Sequence, residues 1–160
     1  HMPELAEKAE KIRRTVYRQS FDGTFFRDHA LRENGVLKAM PDRTEVCQYY
    51  AFFFGVATPA HDRELFDTLI RKFGPGRNQA TEYPEIAPAN AFIGNYLRLE
   101  MLMEAGLREE VLSNIVGFFG YMAQRTGTLW ENTDPSASCD HCFASYVICW
   151  LEKIKNTIQG

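Results

Sequence analysis

Residues 44–57 read TEVCQYYAFFFGVA, and after Glu45 this run carries no charge. A helix that is apolar almost all round belongs inside a protein. Directly after it, Thr58-Pro59 offers a cap and a first-turn proline, which restart a helix. Leu65, Phe66, Leu69, Ile70 and Phe73 then form a one-sided stripe, and Gly74-Pro75-Gly76 ends it. The sequence thus predicts a buried helix followed by one that faces water on one side.

The same couple recurs along the chain. AFIGNYLRLEMLMEA (91–105) is largely apolar and closes at Gly106. Residues 108–125 return to one-sided patterning through Val111, Ile115, Phe118 and Met122, and Gly127 stops them. A last helix is expected from 140 to 158, apolar through Trp150 and amphipathic after it. Upstream, Pro3 opens a helix over 4–19 whose stripe is Leu5, Ala9, Ile12 and Val16. Its other face carries the pairs Glu4/Lys8, Glu7/Lys11 and Glu10/Arg14 in the favourable order. Each class recurs at roughly 50 residues, a period that points to a helical-hairpin array.

The fold class expected is therefore all-α, with three consecutive helical hairpins. Inner helices at 44–57, 91–105 and 140–152 would lie beneath outer helices at 4–19, 59–73 and 108–125. An ordinary six-helix bundle is the plainer alternative. Residues 21–43 break the helical period, and Asn34-Gly35 predicts a short β-hairpin or an ordered loop there. The long connections 20–43, 75–90 and 126–139 all lead into inner helices, so they should gather at one end, where binding groups usually sit.

Composition sets outer limits. The chain has 160 residues, one domain by length, with a net charge of −3. Nothing in that balance supplies the basic face that a nucleic-acid partner needs. The apolar runs are too short to span a bilayer, so no membrane partner is expected. His1-Met2 reads as a remnant of cloning, which leaves 3–160 as the domain and places the natural start upstream. Cys47 and Cys149 fall in apolar helical runs, where a cysteine acts as a small hydrophobe.

Three loops hold the chemistry-bearing residues. The first has Asp22, Asp28, His29, Asp42 and Arg43; the second Tyr83, Glu85 and Asn90; the third Trp130, Glu131, Asp134, Asp140 and His141. Carboxylates beside exposed aromatics suit a sugar, since rings stack on its apolar face while carboxylates move protons at the glycosidic bond. Any single loop acid is more often a cap or a solvated charge. Cys139-Asp140-His141-Cys142 offers three metal ligands without a second cluster, and no thioredoxin-like strands surround it. A helix start and a packed thiol are the better reading, and neither metal nor cofactor is expected.

The segment GTLWENTDPSASCDHCFASY (127–146) resembles the C-terminal catalytic-domain signature of the α-L-rhamnosidases of glycoside hydrolase family 78. TEVCQYYAFFFGV (44–56) and NAFIGNYLRLEMLMEAGL (90–107) look like inner helices of the same (α/α)6 toroid. The resemblance implies that the chain is about half of such a ring, the second half of a catalytic domain. It implies an inverting glycoside hydrolase acting on terminal α-L-rhamnosyl residues, with a rhamnose-containing glycoside or polysaccharide as partner. By the same resemblance Glu131 matches the general base, His141 a histidine that hydrogen-bonds the rhamnose hydroxyls, and Trp130 the aromatic that precedes the base, expected with His141 to bind the substrate. The general acid lies in the family's first half, so the missing N-terminal half of the domain is an implied partner and the isolated chain should be inactive. Periplasmic or secreted placement of the parent enzyme fits the family better than the cytoplasm. The ten-residue spacing from Glu131 to His141 is shorter than in well-known members. Cut from a ring, the end hairpins would expose apolar flanks, and self-association is expected. A helical-repeat binding module without chemistry is the alternative from another class.

Overall fold

Pro3 does open the first helix, α1 (Pro3–Ser20), which ends as the Phe21 amide donates to the Tyr17 carbonyl. The computed structural model describes residues 2–158; His1 and the last two residues of the expected 3–160 domain lie outside the described residues. The expected hairpin follows as β1 (Ala30–Glu33) and β2 (Val36–Ala39), antiparallel, with Asn34 and Gly35 both at positive φ. That pair of left-handed residues is what a two-residue turn demands. The remaining elements are β3 (Arg43–Thr44), α2 (Glu45–Phe53), α3 (Arg63–Lys72), β4 (Ile86–Ala87), α4 (Phe92–Glu104), α5 (Arg108–Ile115), α6 (Tyr121–Thr126) and α7 (Ile148–Ile158). The chain is mostly helical, and its strands form two small two-stranded sheets.

The structure departs from expectation at four places. The helix expected from Thr58-Pro59 starts only at Arg63, because the Thr58 carbonyl closes a turn with the amides of His61 and Asp62. Asp62 could have capped α3, but its carboxylate accepts from the Thr58 amide and the Tyr17 hydroxyl. The expected run 108–125 is broken into α5 and α6 by one wide turn at Val116–Gly120, whose two glycines weaken helical order. The last helix begins as a tight 3-10 stretch at Cys142–Val147 before α7. Finally, α2 is not buried all round: Gln48, Tyr49, Ala51 and Phe52 are buried, while Tyr50, Phe53 and Phe54 face solvent.

The centre of the molecule is α4. Leu97 and Met101 join a core with Phe25, Phe26, Tyr49, Phe52, Leu69 and Ile86. Leu99 and Leu102, on its other side, join a second core with Val111, Phe118, Met122, Trp130, Val147 and Trp150. A helix packed between two cores must be apolar on both faces, which explains the 91–105 pattern. Gly94 lets α2 come close, since a Cβ there would sit 2.7 Å from Val46 Cγ2.

The three long loops are stitched together. Arg43 pairs with Ile86 and Thr44 with Ala87, which ties the first loop to the second. Ala91 bridges to Asn132, which ties the second to the third. Their gathering at the entrances to α2, α4 and the 142–147 turn matches the sequence reading.

Asp22 anchors the first loop. It accepts from the amides of Thr24 and Phe25 and pairs with Arg27 and Arg43. Burial pushes its carboxyl up, but the Phe25 amide, Arg43 and the Thr24 amide together outweigh that and hold it at about 2. The depressed value means that Asp22 stabilises the fold above its ordinary value of 3.8 and stops doing so as pH falls through about 2. Asp22→Asn is expected to lower stability by about 1–2 kcal/mol at neutral pH. Urea titrations of the two proteins should converge as pH drops from 4 toward 2, and a pH-independent difference would contradict this account.

Candidate functional site

The third loop is built from the end of α6 outward. Gly127, at φ 75°, halts the helix in the left-handed conformation. The Thr126 hydroxyl meets that of Thr128 at 2.7 Å and accepts from Trp130 Nε1 at 2.7 Å. Two backbone bonds then fold the loop on itself: His141 N donates to the Leu129 carbonyl at 2.8 Å, and Glu131 N to that of Ser138 at 2.9 Å. The turn between is closed by Asn132 and Asp134, which accept from the amides of Asp134 and Ser136. Two further bonds seat the loop at the mouth of α4: Phe92 N to the Glu131 carbonyl at 3.0 Å, and Thr133 N to the Asn90 carbonyl at 2.9 Å.

This arrangement brings Glu131 and His141 onto one short antiparallel ribbon. Glu131 is exposed, and its carboxylate has no hydrogen-bond or ion-pair partner among the described residues. The His141 ring is half-buried, 5.0 Å from the Phe92 ring and 5.7 Å from that of Phe143. Beside it lies an open groove of about 650 Å³ lined by Phe92, Ile93, Tyr96, Phe143, Tyr146 and Ile148. Burial pushes the Tyr96 hydroxyl up to about 12, and it donates to the Phe143 carbonyl at 2.7 Å.

Trp130 departs from the expectation of a sugar-contacting ring. It is 2 % exposed and packs edge-on against Tyr121 within the second core. A large indole with a hydroxyl partner for its N–H gains more from burial than from standing on a loop. Its place is in the second core, and among the described residues the exposed ring nearest His141 is Phe143.

The other loop residues are mostly spent on structure. Asp28 accepts from the Thr44 amide and hydroxyl at the entrance to α2. His29 and Asp42 form only a loose exposed pair at 3.9 Å. Tyr83 stacks on Phe73 at 5.1 Å. Asp134 is held below its ordinary value by the Ser136 amide and hydroxyl. Glu85 and Asp140 are exposed carboxylates. All four cysteines are free thiols; Cys142 is exposed and Cys139 half-buried over the carbonyls of Pro135 and Ala137. Among the described residues no group of three or more His, Cys, Asp or Glu is placed to hold a metal ion.

A buried polar line behind the site escaped the sequence reading. Glu45 Oε1 and Arg77 Nε are in contact at 2.9 Å with both side chains almost fully buried, though not aligned as a hydrogen bond. Glu45 Oε2 accepts from the Tyr49 hydroxyl and the Ala89 amide. Arg98 continues the line, donating to the Tyr49 hydroxyl, the carbonyls of Leu69 and Ile70, and Asn114 Oδ1. Burial pushes the Glu45 carboxyl up, against the pull of Arg77. One signal for this line was present: Arg98 is the only basic residue of the largely apolar α4, and a buried charge needs several buried partners.

Compared with known proteins, the chain matches no family model, no curated protein and no solved structure.

Proposed function

We propose that this chain is about half of an (α/α)6 catalytic domain of the α-L-rhamnosidase type, carrying the general-base half of an inverting glycosidase site. One observation carries the reading. Glu131, an unpartnered carboxylate, shares a hydrogen-bonded ribbon with His141 at the end of the molecule where the three long loops are stitched together. In this reading Glu131 removes a proton from the water that attacks the anomeric carbon. An inverting enzyme keeps its acid and base about 6.5–9.5 Å apart with that water between them, so the acid can come from another unit of the protein. His141 hydrogen-bonds ring hydroxyls of the sugar. Trp130 acts from below as a positioning residue, through its bond to Thr126. The missing half of the domain completes the site, and this chain alone turns over no substrate.

Free L-rhamnose tests the binding half of the proposal without any turnover. Titration into ¹⁵N-labelled protein is expected to shift amides of 90–92, 128–133 and 138–143, with weak, saturable affinity. His141→Ala should weaken that affinity by about 1–3 kcal/mol, roughly 5- to 150-fold, because a desolvated hydroxyl loses its partner. Shifts elsewhere only, or an unchanged affinity in the variant, would remove His141 from the site.

A further inference from the structure

Along α1, none of the described side chains is buried, although the helix has a well-formed apolar stripe. Leu5, Ile12 and Val16 are 60 %, 53 % and 38 % exposed. With Ala9 they are spaced four, three and four residues apart, which is the seam of a two-stranded coiled coil. On its flank the stripe borders a groove of about 410 Å³ between α1 and α2, walled by Ile12, Val16, Tyr50 and Phe54 over Phe26 and Cys47. Arg13 and Tyr17, on the neighbouring face, already tie the helix down through the Phe54 carbonyl and the Asp62 carboxylate. The stripe is therefore held in place and left uncovered.

We infer that a second copy of this chain docks along this stripe, with the two α1 helices antiparallel and crossing between Ala9 and Ile12. Charge selects that occupant and that direction. The first half of α1 carries Glu4, Glu7 and Glu10 against Lys8 alone, while the second half carries Lys11, Arg13, Arg14 and Arg18 with no acid. Antiparallel pairing lays each acidic half on the partner's basic half; parallel pairing would lay like on like. Ala9, beside the two-fold crossing, has the small side chain that a close approach needs; in this register Ala9 of one protomer falls opposite Ile12 of its partner and Leu5 opposite Val16, while Glu7 faces Arg14 and Glu10 faces Lys11. The helix, 18 residues long, is about 27 Å in length. A strip of that length including the groove buries about 1,000 Å² in total, the lower end of what a specific pair requires. The pairing is independent of the sugar chemistry and stands if that reading fails.

Sedimentation velocity on the full chain from low to high micromolar concentration tests it. A monomer–dimer equilibrium is expected, and Ile12→Lys should raise the dimer Kd at least about tenfold with unchanged far-UV circular dichroism. Should that variant lose helix, Leu5→Lys in the first, freely exposed turns gives the same readout. Direction is read by oxidation on a Cys142→Ser background. The double variant Leu5→Cys/Val16→Cys should form a disulfide-linked dimer, and Val16→Cys alone should not, because antiparallel helices place Leu5 beside Val16 of the partner and carry the two Val16 positions apart. A monomer at every concentration, a Kd indifferent to both lysine variants, or cross-linking of Val16→Cys alone as readily as of the double variant would overturn the proposal.

Discussion

Arg98→Ala is expected to remove about 3–5 kcal/mol of folding stability. The side chain is 2 % exposed and donates to four different groups, among them Leu69 O at 2.7 Å and Asn114 Oδ1 at 2.7 Å. Truncation strands the Leu69 and Ile70 carbonyls and the Asn114 amide away from water, and each buried group without a partner costs about 1–3 kcal/mol. A cavity between the two cores adds to the loss. Natural domains hold only about 5–15 kcal/mol in total, so this one change should consume a large share. Arg98→Lys keeps the charge but not the fork, and should fall between the two. Urea unfolding with an unchanged m-value is the check. A loss below about 1 kcal/mol, the range for exposed polar contacts, would contradict the geometry. Gly74→Ala should act through the same group. A Cβ there would stand 2.7 Å from Arg98 Nε, on a residue at φ +103°.

The second large effect concerns chemistry. Under the proposed function, Glu131→Gln in the full-length parent should lower kcat by about 10²–10⁴-fold, the ordinary worth of a positioned general base. KM should hardly move, since glutamine keeps the shape and the hydrogen-bonding reach of the side chain while losing its basicity. Stability should be unaffected, because the exposed carboxylate pairs with nothing among the described residues. That insensitivity separates a catalytic role from a structural one.

Much of the fold was legible in the chain because periodicity reports which faces are covered. α1, the Asn34-Gly35 hairpin and α4 all appear where the pattern places them. The clustering of the long loops followed from which helices they feed. Burial of a given face was less legible. TEVCQYYAFFFGVA says that α2 has apolar residues all round, but Tyr50, Phe53 and Phe54 stay exposed because no described element lies over them. Hydropathy records what a face could bury, not whether a neighbour is there to bury it.

In the candidate site the surface position of Glu131 was legible, whereas that of Trp130 was misjudged. Trp130 sits on a polar stretch of sequence, yet the loop folds over it. The partner for its N–H is Thr126, four residues back and across the helix end. Only the three-dimensional path of the turn at Gly127 brings those groups together. Likewise Asp22, Asp28 and Asp134 look like acids available for chemistry until the backbone amides they accept from are seen. The buried line from Arg77 through Glu45 and Tyr49 to Arg98 joins residues far apart in the chain. No local pattern encodes it beyond the single basic residue in α4.

The central claim, that this chain carries the base of an inverting rhamnosidase, is tested most directly by hydrolysis of an aryl α-L-rhamnoside. The measurement compares the full-length parent with and without Glu131→Gln, with the anomer first released read by NMR. The account predicts a β-configured first product and a kcat loss of about 10²–10⁴-fold in the variant, with KM held. Equal rates in the two proteins, or no turnover by the parent, would contradict it and leave Glu131 a solvated surface acid.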